Sequence, residues 1–232
     1  MTTPLVIFDL DGTLIDTAPD LIDSLNYTVE AVDMAPFTFE DITHLVGQGV
    51  RVMIRRAFEL RELALDQATE DRLFDRYMEH YKDGMPGRSK PYTGVIDCMD
   101  RLSAAGMKLA VCTNKIEPLA FPLMEGLGLL ERFEVMTCGD TFPVRKPDAG
   151  HILGTIERAG GDPAMTVMIG DSISDIRAAQ NAGIPSVAVT FGYSDVAVET
   201  LNPSHIISSY DQLTVEVIRG LLAGASKAAA AS

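Results

Sequence analysis

Short apolar, β-branched runs recur along the chain at Leu5–Phe8, Leu109–Cys112, Glu134–Thr137, Thr166–Ile169 and Ser186–Val189. Each is followed by a polar residue or a glycine turn. The runs are apolar at consecutive positions, which predicts strands covered on both faces. Stretches of helical period separate most of them, for example Val95–Ala105 and Ser174–Ala182. Strands alternating with helices predict an α/β fold, a Rossmann-like parallel sheet with helices on both sides.

One region departs from this alternation. From about Pro19 to Lys82 the pattern is helical throughout. Leu21, Leu25 and Val29 share one helical face, and Val50, Ile54 and Phe58 share another. The following Gly84-Met-Pro-Gly-Arg-Ser-Lys-Pro reads as a linker, because its glycines and prolines suit neither helix nor strand. The expected organisation is therefore a core made of residues 1–16 and 86–225, interrupted after its first strand by a helical insert, 17–85. The alanine-rich residues 226–232 are expected to form a disordered tail.

Composition narrows the function classes. The 232 residues are 47% hydrophobic and 22% charged, the profile of a globular protein. A formal net charge of −14 argues against nucleic acid or an anionic membrane as partner, since both need a basic surface. An anionic substrate would require local positive charge, from a cation and one or two lysines. Cys98, Cys112 and Cys138 are odd in number and widely spaced, which suggests reduced, buried thiols in a cytoplasmic protein. His44, His80, His151 and His205 show no metal-ligand spacing. Met1 to Phe8 has no basic segment and too short an apolar run for a signal peptide.

The candidate chemistry lies at strand ends. Asp9-Leu10-Asp11-Gly12-Thr13-Leu14 follows the first strand, and two carboxylates two residues apart share a face of extended chain. Such a pair repels unless a cation or a proton lies between them. A polar strand end with an Asp-Gly turn explains the same residues. Thr113-Asn114 follows the second run and can donate hydrogen bonds to phosphoryl oxygens, although this pair is common in turns. Lys146 offers a compact charge for a phosphate or carboxylate cluster, or is a surface lysine. In Gly170-Asp171-Ser172-x-x-Asp175 the carboxylates are hard-cation ligands, or else Asp175 is a first-turn acid and Ser172 an N-cap.

The order and placement of these four segments give the sequence a resemblance to the phosphatases of the haloacid dehalogenase superfamily, over nearly the whole chain. That resemblance implies that Asp9 attacks phosphorus and that Asp11 protonates the leaving oxygen and then activates water. It implies that Asp9, the Asp11 carbonyl and Asp171 bind Mg²⁺ with Asp175 in support, and that Thr113 and Lys146 hold the phosphoryl group. Gly12 and Asn114 complete the expected substrate-binding set, and the helical insert takes the place of the family's small cap, hinged at Leu14–Thr17 and Gly84–Pro91. The expected partner is a small phosphorylated metabolite.

Within the superfamily the sequence is most similar to phosphoglycolate phosphatases. The similar pieces are Asp16-Thr17, Val46–Val50, Thr113-Asn114-Lys115, Ala178-Ala179-x-x-Ala182-Gly183 and Phe191-Gly192-Tyr193. It departs from them at Ala149 and Ser174, where the family usually has Pro and often has Asn or Val. Gly47 and Gly49 precede a helix whose N-terminal amides can bind an anion. Arg51 or Arg55 can clamp a carboxylate, or both are solvated helix residues. The alternatives are a phosphosugar phosphatase or mutase of the same superfamily, with Thr13 leaning toward hydrolysis and so against the mutase, and a non-catalytic scaffold.

Overall fold

A computed structural model describes residues 3–42, 49–194 and 196–229. Its strands are β1 (Leu5–Phe8), the two-residue β2 (Ile15–Asp16) and β3 (Lys90–Pro91), β4 (Lys108–Cys112), β5 (Val135–Thr137), β6 (Thr166–Gly170), β7 (Ser186–Val189) and β8 (His205–Ile207). The helices are α1 (Ala18–Glu30), α2 (Phe39–Ile42), α3 (Val50–Leu60), α4 (Gln67–Asp83), α5 (Val95–Ala104), α6 (Glu117–Gly126), α7 (Ala149–Arg158), α8 (Ile173–Asn181) and α9 (Val215–Ala229).

Six strands form one parallel sheet in the order β5-β4-β1-β6-β7-β8. The consecutive apolar positions of β1 are explained by this arrangement. Val6 and Phe8 point into a layer closed by Val95 and Met99 of α5, Leu123 of α6 and Ile218 of α9. Leu5 and Ile7 point the other way, onto Ile152 and Ile156 of α7 and Ala178 of α8. The chain runs outward from β1 to one edge and returns to fill the other, so β1 lies where the winding direction switches. In parallel sheets of this kind the crevice beyond the strand C-termini at that point is where ligands bind.

The regular elements described between β2 and β3 are the helices α1–α4, joined by turns and loops, with no strand among the described residues. Leu21, Leu25 and Val29 of α1 pack with Ile54 and Phe58 of α3 and Leu73 and Tyr77 of α4. Leu119 and Tyr193 of the sheet domain close this second core from below. The chain leaves and re-enters side by side, because Ile15 pairs with Pro91 and Asp16 with Lys90 in an antiparallel ladder. The Asp20 carboxylate fastens the returning strand by accepting the Arg88 and Ser89 amides at 2.9 and 2.6 Å.

The short strands and the end of the chain differ from the sequence expectation, beginning with β3, a strand at the end of the segment expected to be a linker. The three-residue edge strand β8 adds to the sheet beyond β7. The tail expected to be disordered from residue 226 continues α9 as far as Ala229. Alanine is the strongest helix former, and Ile218 and Leu222 anchor the helix to the core, so the run has a nucleus to extend. Cys98, Cys112 and Cys138 are buried and unpaired, and burial pushes the Cys98 thiol to about 11 and the Cys138 thiol to about 12. Among the described residues no helix is long and apolar enough to cross a membrane.

Candidate active site

Asp9 and Asp11 follow directly on β1, Thr113 on β4, Lys146 lies between β5 and α7, and Asp171 follows β6. The sheet therefore delivers all of these segments to one end. Gly12 makes the first turn possible. It has a φ of 84°, and a Cβ there would overlap the Asp171 carboxylate and the Tyr193 ring. Gly170 and Gly192 are needed for the same closeness, because a side chain on either would collide with Asp175 or Asp171.

Lys146 is the centre of the arrangement. Its side chain is 1% exposed, and its ammonium donates to Asp9 Oδ1 at 2.7 Å, Asp175 Oδ1 at 2.6 Å and the Cys112 carbonyl at 2.6 Å. All three of its protons are thus used. Burial disfavours the ammonium, but Asp175 and Asp9 outweigh that and hold its pKa above the ordinary lysine value. Asn114 helps to fix this loop, since its Nδ2 donates to the Lys146 carbonyl at 2.9 Å. The Thr113 hydroxyl oxygen accepts the Lys115 amide at 3.1 Å, which leaves its own proton free for a ligand.

Asp9, Asp171 and Asp175 each bring a carboxylate oxygen within 4.8 Å of the others, and all three are buried. Burial, and then the charge of Asp175, raise the Asp9 carboxyl to about 7. Asp171 is raised well above the usual carboxylate range by burial and by Asp175 and Asp9. When all three are ionised, the single Lys146 charge leaves an excess of two negative charges, which either protons or a divalent cation would offset. The donors are all hard oxygens, the set that suits such a cation. Their orientation is fixed from behind. Asp171 accepts from Thr13 Oγ1 at 3.1 Å and from the Tyr193 amide at 2.7 Å, and Asp175 Oδ2 accepts from the Ser172 amide and hydroxyl at 3.0 and 2.6 Å. Both oxygens of Asp171 and of Asp175 thus accept hydrogen bonds, while Asp9 keeps Oδ2 without a donor among the described residues. The capping reading of Ser172 and Asp175 holds as well, because the two form a reciprocal capping box at the start of α8.

Asp11 is turned toward a different set of partners. It accepts Thr17 Oγ1 at 2.6 Å and the Lys115 ammonium at 3.1 and 3.4 Å. Lys115 also donates to the Tyr81 hydroxyl of α4 at 2.9 Å. The sequence reading quotes Lys115 and Thr17 but assigns neither to the site. Both reach Asp11 only through the fold, and a lone lysine or threonine carries no local signal of that.

Two adjoining cavities open here. One, of about 490 Å³, is lined by Asp9, Thr113, Lys146, Asp171 and Ser174. The other, of about 310 Å³, rises into the helical layer and is lined by Leu21, Gly49, Val50, Met53, Phe74 and Leu119. Asp11, Asn114, Lys115 and Arg145 border both. Gly49 caps α3 with a φ of 100° and so presents a helix N-terminus to the second cavity, while Val46, Gly47 and Gln48 lie outside the described residues. Arg51 and Arg55 also border it, but both are paired with the nearly buried Glu70, Arg51 at 3.2 Å and Arg55 at 2.9 Å.

Comparison with known proteins agrees with this geometry. A family model described as haloacid dehalogenase-like hydrolase matches residues 6–189. A phosphoglycolate phosphatase of Agrobacterium fabrum is 57% identical over 230 residues, 99% of this chain and 97% of that protein. One from Mesorhizobium japonicum is 48% identical over 225 residues, 97% of this chain and 99% of that protein. Among solved structures, a predicted phosphoglycolate phosphatase from Haemophilus somnus 129PT superposes with a TM-score of 0.86 at 27% identity, covering 92% of this chain and 97% of that one.

Proposed function

The chain belongs to the haloacid dehalogenase-like hydrolase family, and from that premise we propose that it is a Mg²⁺-dependent phosphoglycolate phosphatase working through a phospho-aspartyl intermediate on Asp9. The observation that carries the reaction is the Asp9–Lys146 pair, buried beside Asp171 and Asp175 at the end of β1 and open to a cavity. The substrate comes from the relatives, whose names give phosphoglycolate and whose similarity runs the length of the chain.

The residues divide the work. Lys146 holds Asp9 by Oδ1, which leaves Oδ2 without a hydrogen-bond partner among the described residues and free to attack phosphorus. The bond to the leaving oxygen breaks as the Asp9–phosphorus bond forms, and Asp11 gives that oxygen a proton. Asp11 then takes a proton from water as the water displaces Asp9 and releases phosphate. Thr113 donates its free hydroxyl proton to a phosphoryl oxygen, and Lys146 neutralises charge on another. Gly12 keeps the loop open enough for the phosphoryl group to approach, and Asn114 keeps Lys146 in register. Mg²⁺, held by Asp9, Asp171 and the Asp11 carbonyl with Asp175 behind them, supplies electrostatic stabilisation of the phosphoryl charge.

Residues 17–85 serve as a cap over this site, hinged where β2 pairs with β3. The supporting observation is that the second cavity is walled by α1, α3 and α4 on one side and by Asp11 and Asn114 on the other. A cap so placed excludes water and selects the leaving group. The substrate is a small metabolite, in keeping with a cytoplasmic location.

The decisive experiment measures phosphate release from 2-phosphoglycolate with Mg²⁺ for the wild type and for Asp9→Asn. Release that disappears with EDTA and with Asp9→Asn is the expected result. Metal-dependent release from other esters but not from phosphoglycolate keeps the mechanism and discards the substrate. Transfer of phosphate from a hexose 1-phosphate back to sugar would instead identify a mutase.

A further inference from the structure

Phosphoglycolate differs from most phosphate monoesters in carrying a carboxylate on its leaving group, so the site needs a cation for it beyond those that serve the phosphoryl group. Lys146 is not available, because its three protons are committed to Asp9, Asp175 and the Cys112 carbonyl. Arg51 and Arg55 are committed to Glu70, and Arg51 to Asp71 as well. Arg145 borders both cavities and Arg177 the larger one, but both are exposed, where water screens their charge. Lys115 remains. Its side chain is 4% exposed, it borders both cavities, and it is held between Asp11 of the sheet domain and Tyr81 of α4.

We propose that Lys115 is the specificity residue of this enzyme, the cation that receives the substrate carboxylate at the junction of the two cavities. The inference rests on the phosphoglycolate reading above. Its geometric basis is the position of Asp11. To hand a proton to the ester oxygen, Asp11 must lie within hydrogen-bond reach of it. In phosphoglycolate the carboxylate carbon is only two bonds from that oxygen. The Lys115 ammonium lies 3.1 and 3.4 Å from the two Asp11 oxygens, so it is within reach of a carboxylate attached two bonds from the oxygen that Asp11 serves.

Lys115 is therefore paired with the Asp11 carboxylate before substrate binds; exchanging that partner for the substrate carboxylate frees Asp11 to take up from water the proton that it then gives to the ester oxygen. Thr17 Oγ1, at 2.6 Å, keeps Asp11 oriented after the exchange. Tyr81 holds the ammonium from the other side through its hydroxyl at 2.9 Å, and its ring lies 4.7 Å from the ammonium. Because Tyr81 belongs to α4, the charge is fixed by the cap as well as by the core. An ester without a carboxylate offers Lys115 nothing in return for Asp11 and leaves a buried charge unmatched, which is how such a site rejects the analogue.

The test compares kcat/KM for 2-phosphoglycolate with that for 2-hydroxyethyl phosphate, which replaces the carboxylate by an uncharged hydroxymethyl group, in wild type, Lys115→Met and Lys115→Arg. A loss of Asp11 support affects both esters alike and cancels in the ratio. The wild type is expected to prefer phosphoglycolate. Lys115→Met is expected to reduce that preference about 10- to 100-fold, the loss expected for a charge-assisted hydrogen bond, while Lys115→Arg retains most of it. A ratio unchanged in Lys115→Met overturns the inference and leaves the phosphoglycolate reading standing, with Lys115 serving only Asp11. A wild type that turns over 2-hydroxyethyl phosphate but not phosphoglycolate overturns both. If Lys115→Met does not fold, Lys115→Gln takes its place with the same expected loss, and an unchanged ratio there is equally fatal.

Discussion

At the scale of single residues, the site depends on side chains that are absent as much as on those that are present. Gly12, Gly170 and Gly192 let the loops after β1, β6 and β7 close on the Asp171 and Asp175 carboxylates. Gly12 carries the heaviest constraint, since it combines a φ of 84° with no room for a Cβ. Gly12→Ala is expected to destabilise the fold by about 2 kcal/mol or more and to lower activity even where the protein remains folded, because the strained turn and the displaced Asp171 act together. Urea denaturation and phosphate release on the same preparation test both parts. A variant with wild-type stability and rate would mean that the loop relaxes without moving Asp171. The candidate site residues that the structure gathers were legible where their order along the chain carried the information. Asp9, Asp11, Thr113, Lys146, Asp171 and Asp175 each follow or precede a recognisable strand, and the sheet gathers them. Lys115, Thr17 and Tyr193 were not legible as parts of the site. Lys115 meets Tyr81 across 34 positions and Asp11 across 104, the first contact created by the packing of α4 on the core and the second by the pairing of β1 with β4.

At the scale of elements, the buried parallel strands were readable because both of their faces are apolar, and the helices because one face is. The pieces that escaped are those too short to show a period. β2 and β3 have two residues each, and β8 has three at a sheet edge. The arginines of α3 illustrate a different difficulty. Their spacing on the helix allows either a clamp for a carboxylate or a contact with a neighbouring helix. The structure brings Glu70 of α4, 4% exposed, against both of them. These pairs hold the Arg55 and Glu70 side chains charged, with the arginine raised and the glutamate lowered relative to their ordinary values, chiefly by the hydrogen bond between them. Arg51→Ala and Arg55→Ala are therefore expected to weaken the α3–α4 contact while changing KM for phosphoglycolate by less than about threefold, as fits half-exposed ion pairs remote from the reacting atoms. Thermal melts and steady-state kinetics on the two variants check this. A large rise in KM with an unchanged melting temperature would return the clamp to the arginines.

At the scale of the whole molecule, the acidic cluster ties folding to metal and to pH. In the metal-free fold Asp9 titrates near 7, against 3.8 for an ordinary aspartate, so between those values the folded state holds more protons than the unfolded one. Stability from this group is thus fully present below about pH 4 and is lost as pH rises through 7. Asp171 moves in the same direction. His151 acts oppositely. It is fully buried, and burial and then the Lys146 charge lower its pKa from 6.5 to about 4, so its contribution rises with pH between those values and is constant above them. Above pH 6.5 the decline therefore belongs to the carboxylates, and a divalent cation that replaces their protons should reverse it. The gain in melting temperature from saturating Mg²⁺ is expected to be larger at about pH 8 than at about pH 6, because at the lower pH the cation must displace a proton that already relieves the repulsion. His151→Gln removes the rising contribution that offsets the carboxylates, so it is expected to steepen the fall of metal-free stability between about pH 4 and 6.5 without changing the Mg²⁺ gain. Equal gains at the two pH values would mean that the cluster is already ionised without metal, with Lys146 alone sufficient to hold three carboxylates together.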